Sequence, residues 1–73
     1  MNQKKYRLTR VSREDRTKTE GVDEAAIGDI IGVSYDRKAD LYCAEYFAPD
    51  GIRDGWCSIE DAREIAKAKG IEL

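Results

Sequence analysis

Residues Gly28 to Cys57 read G-D-I-I-G-V-S-Y-D-R-K-A-D-L-Y-C-A-E-Y-F-A-P-D-G-I-R-D-G-W-C. This stretch decides the fold. Three apolar runs of strand length are cut by two polar breaks, R-K-A-D and A-P-D-G. Gly28-Asp29 launches the first run, in which Ile31 and Val33 share one face and Ile30, Gly32 and Ser34 the other. Leu41 to Phe47 is rich in β-forming residues and makes the second. Pro49-Asp50-Gly51 reads as a three-residue hairpin loop. Such a loop sets Cys43 opposite Cys57, Ala44 opposite Trp56 and Phe47 opposite Arg53. One face then carries Leu41, Cys43, Phe47 and Cys57, and the other Tyr42, Ala44, Tyr46 and Trp56. Both faces are apolar, so each needs a cover or serves as a docking surface.

The flanks supply the covers. Ser58-Ile59-Glu60-Asp61 resembles a capping box and predicts a helix over 58–70, with Lys67 and Lys69 in its last turn and Gly70 closing it. Ile59, Ala62, Ile65 and Ala66 form a narrow apolar stripe suited to close packing on a sheet. On the other side, residues 4–11 alternate Tyr6 and Leu8 with Lys5, Arg7 and Thr9, which predicts a half-buried basic strand. Residues 12–24 hold a single apolar side chain, Val22, and read as a long mobile loop. The expectation is one small α+β domain with a β core over 25–57. It is a small antiparallel sheet or SH3-like partial barrel of 3–5 strands with one C-terminal helix.

Composition narrows the chemistry. The chain of 73 residues has no histidine and two cysteines, Cys43 and Cys57. A zinc site of four thiolates cannot form, and the usual general base and every His-activated nucleophile are missing. Both thiols read as small buried hydrophobes. Carboxylate pairs such as Asp23/Glu24, Asp50/Asp54 and Glu60/Asp61 fall in turns and caps rather than around a cleft. No cofactor, no metal and no enzymatic activity are expected. No apolar run is long enough for a membrane span, so a cytoplasmic protein is expected. Charge is split: residues 1–18 hold seven basic side chains against two acidic, and residues 19–73 six against thirteen. That suits a polarised binding surface.

Three resemblances bear on function. Gly28-Asp29-Ile30-Ile31-Gly32-Val33, Leu41-Tyr42-Cys43-Ala44-Glu45 and Gly55-Trp56-Cys57-Ser58 resemble the strand motifs of SH3-like small barrels. This resemblance implies a core of Ile31, Val33, Ala44 and Cys57. Proline-rich peptide binding is not implied, because the outer tryptophan of the hairpin strand is Leu41, and the proline, asparagine and tyrosine of the terminal turn fall at Ser58, Glu60 and Asp61. Gly32-Val33, Ala44-Glu45 and Glu60-Asp61-Ala62 are similar to AP2-type DNA-binding domains, three strands backed by a helix. The strand positions that read DNA there include Ser34, Asp36 and Glu45 here, so only the basic N-terminal strand is left for weak nucleic-acid contact. Length, acidic charge and the lack of catalytic groups resemble small phage-encoded regulators that bind host RNA polymerase and alter promoter use or termination.

The leading expectation is therefore a non-enzymatic, monomeric regulator that binds a host multisubunit complex, RNA polymerase first among them, in the host cytoplasm if phage-encoded. Interfaces favour Trp, Tyr and Arg. The expected partner-binding residues are Lys4, Lys5, Arg7, Arg10, Tyr35, Arg37, Tyr46, Arg53 and Trp56. The alternatives are an AP2-like nucleic-acid module using the basic strand and a homodimeric scaffold joined at a sheet edge.

Overall fold

Alternation in the first strand does what it predicts. In the computed structural model, which describes residues 4–73, β1 runs Lys5–Val11 and buries Tyr6 and Leu8 while Lys5 and Arg7 stay exposed. It is followed by β2 (Thr19–Ala26), a short 3-10 turn (Ile27–Asp29), β3 (Ile30–Asp36), β4 (Leu41–Ala48), β5 (Gly51–Cys57) and α1 (Ile59–Lys69). The strands form one antiparallel sheet in the order β2-β1-β5-β4-β3, so the domain is a five-stranded sheet with one C-terminal helix. Among the described residues, no helix is long and apolar enough to cross a membrane.

The helix ends as its sequence marks them. The Ser58 hydroxyl accepts the Asp61 backbone N–H at 3.1 Å, and the Ile71 N–H returns to the Ala66 carbonyl at 2.8 Å. Ala62, Ile65 and Ala66 are buried against β3 and β4, whereas Ile59 is exposed. Lys4, just before β1, joins the helix through a 2.7 Å ion pair to Glu64. The core on this face gathers Tyr6, Leu8, Ala25, Ile30, Val33, Ala44 and Tyr46 under the helix residues.

Three expectations are corrected. The loop expected over 12–24 is a loop only as far as Lys18, and β2 then pairs with the whole length of β1. Backbone hydrogen bonding makes this strand, which apolar content could not reveal; only Ala25 of it is fully buried. Next, Ile30 rather than Ile31 faces the core. The register shifts between Ile30 and Gly32, and the extra residue, Ile31, bulges out to 42% exposure.

The third correction concerns the hairpin. Ala48 pairs with Gly51 across a two-residue loop, Pro49-Asp50, with Gly51 at φ 130°, a conformation that an L side chain resists. The pairing is therefore one residue out from expectation: Cys43 opposes Trp56, Ala44 opposes Gly55 and Tyr42 opposes Cys57. A one-residue slip exchanges the faces of a whole strand. Packing selects this register. A Cβ on Gly55 would lie 2.9 Å from Leu8 Cβ and 3.3 Å from the Tyr46 ring, so only glycine fits under the core where tryptophan was expected.

Candidate functional site

With that register, Trp56, Asp54 and Ile52 of β5 point away from α1, alongside Cys43, Glu45 and Phe47 of β4 and Ser34 of β3. Among the described residues, no helix or strand covers this face. Phe47 is 59% and Ile52 61% exposed, and they sit directly opposite each other at one end. Glu45 and Asp54 are the next pair along, then Cys43 and Trp56.

The connection between β1 and β2 leans over one side of this face. It is a tied loop: Ser12 N–H reaches the Lys18 carbonyl at 2.9 Å, and the Thr17 N–H and hydroxyl both donate to Asp15 Oδ1. From it the Arg16 guanidinium sits over the Trp56 ring, 5.6 Å from the centroid, and forms a 2.7 Å ion pair with Asp36 at the end of β3. That pair, helped by the backbone N–H of Ala39, holds the Asp36 carboxyl below its usual range. Trp56, Asp36 and Asp54 line a shallow groove here together with Arg10, Arg13, Arg16 and Arg53.

The cysteines lie on opposite faces. Burial, with Asp54 beside it, pushes the Cys43 thiol up to about 11, and burial with Asp61 does the same for Cys57. Both are therefore protonated and poorly nucleophilic at neutral pH. Among the described residues no group of His, Cys, Asp and Glu is placed to hold a metal ion.

The expected partner-binding residues do not form one patch. Trp56 lies half-buried on the open face, and Lys5 and Arg7 point to the same side at the far end of β1. Tyr35 is exposed but on the helix side, its ring 5.0 Å from that of Tyr42 and its hydroxyl bonded to Asp40. Arg37 is exposed in the β3–β4 turn, and Lys4 is engaged with Glu64 and over the Tyr6 ring.

Three expected residues join one cluster on the helix side, where Tyr46 is buried and Arg10 and Arg53 stay 30% and 31% exposed. Tyr46 is 1% exposed, and its hydroxyl donates to Asp23 Oδ2 at 2.7 Å. Arg53 donates to the same oxygen at 3.2 Å, and Arg10 Nε lies 3.2 Å from it without the alignment of a hydrogen bond. One carboxylate oxygen has lone pairs for about two well-directed donors, so the third is held by charge alone. Asp23 is consequently shifted down, chiefly by the Tyr46 hydroxyl and then by Arg53, while the Tyr46 phenol is shifted up by burial and by Asp23. This cluster ties β2 to β4 and β5. In a flat sheet β2 and β4 would stand roughly 14 Å apart, so the bond from Tyr46 to Asp23 reports strong curling toward the helix side. Tyr46 cannot meet a partner, because this curl encloses it.

Sequence reading missed Arg16, Asp36, Glu45, Asp54, Phe47 and Ile52. Their adjacency depends on the hairpin register and on the path of the β1–β2 loop; the only local signal was the exposed-strand chemistry of Glu45 and Asp54. No family model, no curated protein and no solved structure matches this chain.

Proposed function

We propose that this is a non-enzymatic regulatory domain that docks on a protein partner through the open face of its sheet. The observation that carries the reading is the placement of Trp56, Phe47 and Ile52 on a sheet face without a covering element. Phe47 and Ile52 form an exposed apolar pair, and large apolar groups left in solvent on a sheet face mark interaction surfaces. The groove holds Trp56 beside Arg16, two of the residue types that most often anchor interfaces. The absence of histidine and the raised thiols weigh against acid-base or nucleophilic catalysis on this face.

RNA polymerase is the first partner to test, on the resemblance to small phage-encoded regulators of that enzyme. Docking there would act by steric block or by favouring one conformation of the complex. Immobilised protein is expected to retain purified bacterial RNA polymerase and to change the yield of a run-off transcription assay. Trp56→Ala should weaken retention at least about tenfold, as expected for an interface anchor. Failure of the wild-type protein to retain the enzyme removes RNA polymerase as the partner.

A further inference from the structure

We infer that the β1–β2 loop is a latch on the docking face, held shut over Trp56 by Arg16 in the free chain and lifted when the partner protein docks. The inference rests on the docking reading above and supplies its regulation.

The first observation is how the loop is fastened. Residues 12–18 are tied to one another. The Ser12 N–H reaches the Lys18 carbonyl, the Lys18 N–H reaches the Asp15 carbonyl at 3.0 Å, and the Glu14 and Asp15 N–H groups both donate to the Ser12 hydroxyl at 3.3 Å. A segment closed on itself in this way moves as a unit. Among the described residues, Arg16 alone carries hydrogen bonds or ion pairs from residues 12–18 to the rest of the domain.

The second observation is where that single fastening lands. The Arg16 guanidinium lies over the Trp56 ring and pairs with Asp36 Oδ2. It covers one side of the half-buried indole, the residue type on this face best suited to anchor a partner. A partner that uses that side of Trp56 has to move Arg16 first.

The third is that the fastening is weak and its release leaves the fold intact. The Arg16 side chain is 54% exposed and that of Asp36 29%. An exposed ion pair holds by a factor of up to about five, and a cation over an exposed ring adds a similar factor. The closed loop therefore predominates in the free chain, yet a partner opens it at a small cost in affinity. With Arg16 gone, Asp36 Oδ1 still accepts the Lys38 and Ala39 N–H groups, so the β3–β4 turn is kept. The released guanidinium is then free to meet the partner at the rim of the groove.

Asp36→Asn removes the charge that holds Arg16 and keeps an oxygen for the turn. Trp56 is the single tryptophan, so its fluorescence reads the latch directly. Asp36→Asn and Arg16→Gln are each expected to red-shift the emission and to strengthen quenching by acrylamide, with circular dichroism unchanged. In the wild type, raising salt from about 0.05 M to about 0.5 M should do the same in part, because screening weakens exposed ion pairs. Binding to purified bacterial RNA polymerase should tighten about two- to fivefold in Asp36→Asn. Arg16→Gln, which also lacks the released guanidinium, should gain less. Equal quenching in the wild type and both variants overturns the latch. So does an Asp36→Asn protein that bares Trp56 and binds polymerase no better than the wild type. If Arg16→Gln fails to fold, Asp36→Asn decides alone. If neither the wild type nor Asp36→Asn retains polymerase, the choice of partner falls, and the quenching series decides whether the loop shuts over Trp56.

Discussion

On the helix side of the sheet, Leu8, Ala25 and Ala44 are buried and a carbon added at Gly55 would collide with Leu8; on the other side, Phe47 and Ile52 stand more than half exposed. The same strands build both faces, residue by residue in alternation. Packing constrains the centre of the first side, where Leu8, Ala44 and Gly55 meet. The second side is free to vary as far as folding goes, so its apolar and acidic content calls for an explanation outside the fold. That contrast is the physical basis for assigning docking to the open face.

The contrast breaks most readily at Leu8, which has no exposed surface and meets Gly55 across the β1–β5 contact. Leu8→Ala should cost about 3–5 kcal/mol, a large share of the stability of so small a domain. Urea unfolding followed by circular dichroism is the measurement; a midpoint close to wild type would mean that this side is not the core. Gly55→Ala comes next, at about 1–3 kcal/mol by overpacking against Leu8 and Tyr46. A neutral result would show that the strands can separate there.

Tyr46→Phe keeps the ring and removes the donor to Asp23, for an expected loss of about 1 kcal/mol. The same cluster sets an acid limb of stability. The folded Asp23 titrates lower than the unfolded residue, so its contribution is in place above the unfolded value and disappears as pH falls through the folded one. Melting temperature should therefore drop on acidification below about pH 4, and Asp23→Asn should flatten that drop. An unchanged acid profile in Asp23→Asn would locate the dependence elsewhere, with Asp36 and Glu64 the next groups to test.

The smallest expected effect sharpens the contrast from the other side. Phe47→Ser and Ile52→Ser together should change stability by no more than about 0.5 kcal/mol each, while abolishing retention of a protein partner. A strongly destabilised double variant would place these side chains in the fold and withdraw them from the interface.

Much of the architecture was legible because it depends on local chemistry. Ser58, the acidic first turn and Gly70 delimit the helix by satisfying its terminal backbone groups. The Tyr6/Leu8 alternation identifies the buried face of β1, and the Pro49-Asp50-Gly51 segment places a hairpin turn. β2 was illegible because its stability comes from pairing with β1 and from the charge cluster around Asp23, neither of which leaves an apolar pattern in T-E-G-V-D-E. The candidate site was legible at Arg10, Arg53 and Trp56, which line its groove, though they were expected by type rather than by position.

By itself, then, the sequence determined the strand-rich middle, the capped helix and the absence of histidine, since propensity, capping and side-chain inventory are read from the residues themselves. Only the tertiary structure decided the hairpin register, the bulge at Ile31, the enclosure of Tyr46 and the meeting of Arg16 with Trp56. Each of these depends on which atoms fit beneath Leu8 and the helix, and a single Cβ at Gly55 is enough to choose which face of the sheet carries tryptophan.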